Sequence, residues 1–265
     1  MSTNEAAGRR RAEQFREEHG LGLAAVKDVF ELVHTTTGID VLSMEAGDEE
    51  HGLSMRDPAT GRTAIAVATT ENPLRQRTSI AHELGHVLAG DLDRPADGAP
   101  GERTPAEKQA DTFARHLLLP LDAVRARVEP GQATVAALSA LVQEFEVSPH
   151  VAAIQLKEAG VIDPDTSQEW SRLTAPMLAA EHGWLSQYRS LVADSTQPRA
   201  PQQLMARAVV GYHRGVLGLT EVALWYRQEP DELAAELGPP APVEGEADIA
   251  DVWDLDTPLF PPTAS

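Results

Sequence analysis

The clearest chemical signal in the chain is a pair of histidines four residues apart with a glutamate between them, in His82-Glu83-Leu84-Gly85-His86. On a helix, residues four apart lie on one face, so His82 and His86 can offer two imidazole nitrogens to one metal ion. Glu83 lies one step round the helix and can reach a water on that ion without being a ligand. The H-E-x-x-H pattern therefore predicts a zinc site. The alternative is a buried helix that carries two incidental histidines.

A zinc site of this kind needs a third protein ligand and a water in the fourth position. Glu107 is the candidate, because it falls on the apolar face of a helix predicted to begin near Thr104, and an inward carboxylate is costly unless it is paired or binds metal. Asp111, one turn further on, is placed to hold the far ring nitrogen of a ligand histidine. Thr104 and Glu107 also match a capping box, which would explain Glu107 without a metal but not Asp111. His116 falls on the polar face, where we expect it to be solvated.

The elements that must position these residues indicate an α+β chain, in which helices flank a small antiparallel sheet. Apolar periodicity and turn signals predict two opening helices, three short strands, two site helices and a helical hairpin. The expected ranges are 5–19 and 24–35 for the opening helices, 39–44, 51–55 and 63–68 for the strands, 78–90 and 104–120 for the site helices, and 134–145 with 149–158 for the hairpin.

Charge and composition exclude several classes of partner. The 265-residue chain has a formal net charge of −19, so a phosphate backbone or an anionic lipid surface would repel it, and we expect no direct nucleic-acid or membrane partner. It has no cysteine, so any metal must be bound by histidine and carboxylate. Residues 1–18 lack the apolar core of a signal peptide, and no stretch approaches the roughly 20 apolar residues of a membrane span. We therefore expect a cytoplasmic protein.

The composition along the chain predicts three parts. Residues 1–165 are expected to form the metal-binding domain, including the hairpin at 134–160. Residues 166–238 have the pattern of a small helical module. Residues 239–265 are rich in Pro and Ala and carry six acids and no base between 244 and 256, which is typical of a disordered acidic tail.

Two stretches together resemble the ImmA/IrrE-type metallopeptidase family. The first is residues 75–86, RQRTSIAHELGH, which resembles the family's active helix. The second is residues 107–120, EKQADTFARHLLLP, a glutamate helix that runs into a Leu-Leu-x-Pro end. The resemblance covers about residues 20–162, and the hairpin fits it.

The resemblance implies a zincin-like catalytic domain and a zinc-dependent endopeptidase. Carried over by position, His82, His86 and Glu107 would be the metal ligands and Glu83 the catalytic acid/base, while Asp111 stands where the family often has Asn or Asp. Zinc is the expected cofactor, with Mn²⁺ or another divalent ion as the alternative. Several members cleave a helix-turn-helix repressor and so switch on phage, mobile-element or DNA-damage genes. The expected partner is therefore a protein substrate of that kind, a DNA-binding repressor.

Two further expectations concern how such a substrate would be handled. The strand at 63–68 could pair with an extended substrate by strand addition. An oxyanion also needs a stabilising group, for which His51, Arg75 and Arg77 are candidates by chain position.

Two other functions compete with catalysis. One is a non-catalytic regulator that binds a repressor through its helical hairpins, at 134–160 and 203–237. The other is a DNA-binding regulator, which is disfavoured because the helix at 149–158 carries one Lys and no Arg. The acidic tail is either a solubilising end or a mimic of nucleic acid that attracts a basic repressor.

Overall fold

The computed structural model divides the chain into two units, and the division falls later than the composition indicates. It describes residues 3–46, 52–58, 60–92 and 104–240. The two units are Met1–Arg199 and Ala200–Ser265, whereas the sequence analysis placed the first boundary near residue 165. The difference arises because the helices after residue 163 bury Trp170, Leu178 and Trp184 in the core of the first unit. The predicted acidic tail lies, from residue 241 onward, outside the described residues.

The first unit has the α+β architecture that the sequence predicts. Its described elements, in chain order, are α1 (Thr3–Glu18), α2 (Val29–Thr37), β1 (Asp40–Met44), β2 (Gly52–Arg56), β3 (Thr63–Ala68), α3 (Pro73–Ala89), α4 (Pro105–Leu118), α5 (Leu121–Arg127), α6 (Val135–Phe145), α7 (Pro149–Glu158), α8 (Pro164–Trp170), α9 (Ala175–Glu181) and α10 (Leu185–Ser195).

The sheet has the order β1-β3-β2 and is mixed rather than wholly antiparallel. β2 and β3 form the expected antiparallel hairpin, with Ser54 opposite Ile65, whereas β1 pairs with β3 in parallel, with Val41 opposite Ile65. The chain reverses direction twice between β1 and β3, so these two strands run in the same direction. They are neighbours because β3 lies between β1 and β2 in the sheet. The strand addition predicted at 63–68 is therefore wrong, because β3 is the central strand and has no free edge.

The outer edge of β1 is occupied by a later segment of the same unit. Ser43 N donates to Arg199 O at 2.9 Å, and Arg199 N donates back to Ser43 O at 3.0 Å. Within the described part of the sheet, the strand with an open edge is β2. Its residues are mostly exposed, including Leu53 and Met55.

Helix α3 begins five residues before the predicted position. Asn72 caps it by accepting a hydrogen bond from Arg75 N at 3.1 Å, and Pro73 occupies the first turn, where a missing N–H costs nothing. Thr78, at the predicted start, lies inside the helix, and its hydroxyl donates to Leu74 O at 2.8 Å. The end at Gly90 agrees with the prediction, since this glycine has φ of 70° in the left-handed region.

Helix α4 packs between α3 and α1 at two glycines. A Cβ on Gly85 of α3 would lie 3.1 Å from both the Ala110 Cα and the Phe113 ring of α4. A Cβ on Gly8 of α1 would collide with the Gln109 carbonyl oxygen on the other side of α4. The absence of side chains at both positions lets the three helices approach closely, and this fixes α4 relative to the histidines of α3.

The predicted hairpin is present as α6 and α7, and its apolar faces are part of the core. Leu138, Leu141 and Phe145 of α6 and Ala152 and Leu156 of α7 are almost fully buried. Ser148 begins α7 by accepting a hydrogen bond from Val151 N at 3.1 Å. The hairpin is therefore a structural layer of the first unit.

The second unit, in its described part, contains α11 (Gln202–His213), α12 (Leu219–Tyr226) and α13 (Pro230–Leu237). Their core includes Tyr212, Val222 and Leu233. Among the helices that the structure describes in either unit, none is both long enough and apolar enough to cross a membrane.

Candidate metal centre

The three predicted ligands converge on one point between α3 and α4. The Nε2 atoms of His82 and His86 lie 3.1 Å apart. Glu107 Oε2 lies 3.2 Å from His82 Nε2, and Glu107 Oε1 lies 3.3 Å from His86 Nε2. These three side chains form a group whose ligand atoms all lie within 4.8 Å of one another. The Glu107 side chain is 43% exposed, so it lies at the rim of the interhelical groove rather than in the apolar interior that the helical pattern suggested.

Each histidine has a carboxylate at its other ring nitrogen. Asp111 Oδ1 lies 3.0 Å from His82 Nδ1, as the sequence predicts. Asp91 Oδ2 lies 3.3 Å from His86 Nδ1, a contact that the sequence analysis missed. A carboxylate is an acceptor, so it favours the proton on Nδ1 and leaves the lone pair of Nε2 pointing into the group.

Local helix signals explain why Glu107 and Asp91 face the histidines. Thr104 accepts a hydrogen bond from Glu107 N at 3.2 Å, so Glu107 lies in the first turn of α4. The Glu107 carboxylate itself faces the two rings, which means that the capping signal and the ligand geometry are compatible. At the end of α3, Gly90 turns the chain back, and Asp91 N donates to His86 O at 3.1 Å. That turn returns the Asp91 side chain to the His86 ring.

The carboxylates around His82 favour its protonated form when no metal is bound. Burial lowers the pKa of His82, but the hydrogen bond and charge of Asp111, together with the charges of Glu107 and Glu83, outweigh burial and raise the pKa above its usual value. A positive charge at this point is therefore stabilised, whether it is a proton or a metal ion.

The donor set fits a divalent metal ion. Two imidazole lone pairs and a carboxylate that converge within hydrogen-bond distance repel one another unless a proton or a metal ion lies among them. Two histidines and one carboxylate are a ligand set of catalytic zinc sites, which keep a fourth position for water. The carboxylates at both Nδ1 atoms supply the outer contacts that orient such ligands. The residues present therefore fit the group that the spacing predicts.

Glu83 lies beside this group and contacts the edge strand. Ser54 Oγ of β2 donates to Glu83 Oε2 at 2.7 Å. The Gly52 backbone approaches the same side chain, since a Cβ at Gly52 would lie 3.1 Å from Glu83 Cγ and 3.2 Å from Oε1. The carboxylate is thus next to the ligand histidine in sequence but is held by the sheet.

Several other residues that the sequence singled out do not contribute to this group of donors in the described structure. His116 is buried rather than solvated, because α7 covers it, and its Nε2 lies 3.3 Å from Glu158 Oε2. Arg77 is also buried, and it donates to the Val26 and Lys27 carbonyls and pairs with Glu146 at 3.1 Å. It therefore serves the core and not an oxyanion. Arg75 is exposed on the first turn of α3, and His51 lies outside the described residues.

The geometry agrees with a comparison against known families. Residues 35–157 match the model of peptidase family M78, described as the IrrE N-terminal-like domain. The matched range contains all three predicted ligands as well as Glu83 and Asp111. A search of curated proteins found no match to the chain.

Proposed function

Because residues 35–157 belong to the IrrE N-terminal-like family of metallopeptidases, we propose that this protein is a zinc-dependent endopeptidase with a narrow substrate range. The observation that carries the proposal is the convergence of the donors of His82, His86 and Glu107, with the Glu83 carboxylate close enough for its charge to raise the pKa of His82. We propose further that the substrate is a helix-turn-helix repressor that acts in a stress or mobile-element response. Such a substrate would place the reaction in the cytoplasm.

The residues have distinct roles in this proposal. His82, His86 and Glu107 would hold the ion, and Asp111 and Asp91 would orient the two imidazoles. A bound zinc ion lowers the pKa of a coordinated water and polarises a carbonyl group. Glu83 accepts the proton from the attacking water and then delivers it to the nitrogen of the leaving amine.

The open edge of β2 supports binding of an extended peptide. Its outward backbone groups could pair with a substrate strand, and β2 contacts Glu83 through Ser54. Leu53 and Met55, whose side chains point away from Glu83 because strand side chains alternate, are 56% and 48% exposed. They could contact apolar side chains on the far face of the paired substrate.

The charge of the protein supports a basic substrate. A net charge of −19 attracts the positively charged surface with which a repressor binds DNA, and this attraction raises the rate of encounter. The same charge disfavours direct DNA binding by this chain.

Sequestration without cleavage has less support than catalysis. The hairpin at 134–160 offers little for docking a repressor, because the apolar faces of α6 and α7 are already buried in the core. Such a regulator would have to use the helices at 203–237, where Leu224, Trp225 and Tyr226 are exposed. A sequestering protein also has no use for a carboxylate near three convergent donors.

The variant Glu83→Gln tests the proposal. Proteins that carry new N-termini would be labelled and identified in host cells producing the wild type or the variant at equal levels. We expect a small set of cleaved proteins, including a repressor, with the wild type only, while both purified proteins bind one zinc ion. Equal cleavage by the variant would contradict the role of Glu83. Release of the repressor's target genes by both proteins, with the repressor intact, would instead support sequestration.

A further inference from the structure

We propose that Ser54 and Gly52 of β2 are positioning residues for the Glu83 carboxylate: Ser54 fixes one oxygen by a hydrogen bond, and Gly52 leaves room for the other. This inference rests on the proposed function, because it assigns a purpose to Glu83. It adds two residues that lie outside the motif helix and that the sequence pattern does not mark.

The first contact is a short hydrogen bond between the sheet and the motif helix. Ser54 Oγ and Glu83 Oε2 are 2.7 Å apart, and the residues are 29 positions apart in the chain. A glutamate side chain has three rotatable bonds, so a carboxylate at the surface of a groove samples many orientations. A hydroxyl that donates to Oε2 restricts those orientations and leaves Oε1 to exchange a proton with the reacting groups.

The second contact depends on the absence of a side chain. A Cβ at Gly52 would lie 3.2 Å from Glu83 Oε1 and 3.1 Å from Cγ, which is tighter than ordinary van der Waals contact. The oxygen that Ser54 leaves free is therefore the one next to Gly52. An added methyl group would push this oxygen away from its observed position.

The register of the sheet keeps both residues on the helix side. Gly52 pairs with Val67 and Ser54 pairs with Ile65. Both partners are almost fully buried against the core, with exposures of 2% and 0%. A slip of one residue would present Leu53 rather than Ser54 to Glu83, so the pairing register with β3 decides which β2 residues meet the carboxylate.

The arrangement links substrate binding to the position of the base. β2 is the strand with the open edge and also the strand that holds Glu83. A peptide that pairs with β2 would stiffen the strand that carries Gly52 and Ser54, so binding and alignment of Glu83 would occur on the same element.

Acetohydroxamate binding to the zinc-loaded protein provides a readout that does not require the natural substrate. Hydroxamates chelate zinc and release a proton, so their affinity depends on an adjacent carboxylate that can accept it. The set compares the wild type with Ser54→Ala, Ser54→Thr, Gly52→Ala and Glu83→Gln. Ser43→Ala is the matched control, because Ser43 is also a serine on this face of the sheet. Its hydroxyl donates to Gln197 O and accepts from Arg199 N, and it does not contact Glu83.

We expect Ser54→Ala to weaken acetohydroxamate binding about tenfold, as for loss of one hydrogen bond to a charged group. Gly52→Ala should also weaken it, because the added methyl group displaces the Glu83 carboxylate. Ser54→Thr should retain most of the affinity, and Ser43→Ala should retain all of it. Zinc affinity should be unchanged in all of them. Wild-type affinity in Ser54→Ala, in a series where Glu83→Gln binds weakly, would overturn the inference while leaving the proposed function intact. If the zinc-loaded wild type bound acetohydroxamate no more tightly than Glu83→Gln, both the inference and the proposed function would be overturned.

Discussion

Asp111 Oδ1 lies 3.0 Å from His82 Nδ1, and Glu107, one helical turn earlier on α4, faces the opposite nitrogen of the same imidazole ring. One helix thus supplies both a candidate metal ligand and the group that orients another. His86 has the same arrangement, but its outer carboxylate comes from a different segment. Asp91, in the turn after α3, contacts the Nδ1 atom of His86. We therefore expect the two outer carboxylates to affect the site without binding the ion.

Replacing these carboxylates tests that role. Asp111→Asn should weaken zinc binding about 10- to 100-fold, because the amide holds the His82 ring in a less basic state and a less fixed orientation. Asp91→Asn should have a smaller effect, since its contact with His86 is longer, at 3.3 Å. Competition with a chromophoric chelator would measure both. Asp165→Asn, at an exposed position on α8, is the control, and equal affinities in all three variants would contradict the assignment.

The raised pKa of His82 predicts a pH dependence in the metal-free protein. A folded-state pKa above the unfolded value of about 6.5 stabilises the fold fully below that value, and this stabilisation is lost as the pH rises through the folded pKa. The difference in melting temperature between the wild type and His82→Gln, measured in chelator, should therefore shrink from pH 6 to pH 9. A difference that stays constant or grows over this interval would show that the neighbouring carboxylates do not stabilise a protonated His82.

The contact between α1 and α4 predicts an unusual response to a glycine replacement. Gly→Ala inside a helix is normally stabilising by about 0.5–1 kcal/mol. Gly8→Ala should instead destabilise the protein by about 1–3 kcal/mol, because the methyl group collides with the Gln109 carbonyl and forces the helices apart. Urea unfolding would measure the change, with Arg10→Ala at an exposed position of α1 as the control. Stabilisation of Gly8→Ala would show that α1 does not pack closely on α4.

The predicted site residues that the structure brings together share one property, which is local periodicity. His82 with His86, and Glu107 with Asp111, are four apart on their helices, so helix geometry alone places each pair on one face. The cap at Thr104 and the stop at Gly90 are also local signals, and both are present. The family resemblance then joined the two helices into one site.

The residues that the sequence analysis missed depend on contacts between distant segments. Ser54 and Gly52 reach Glu83 only because β2 lies at the edge of a sheet whose strand order the hairpin signal does not specify. Asp91 contacts His86 through a turn that has no periodic pattern, although its position directly after Gly90 is a signal that could have suggested it. His116 was assigned to a solvated face because a helical pattern cannot reveal that α7 covers that face.

Zinc titration by calorimetry tests the central claim most directly, because the account requires three protein ligands from two helices. The comparison is between the wild type, Glu107→Gln and the control Glu169→Gln, which changes an exposed glutamate of α8. We predict one zinc ion per chain for the wild type and the control, and binding that is weakened at least 100-fold in Glu107→Gln. Equal binding by Glu107→Gln, or no specific ion in the wild type, would contradict the three-ligand site.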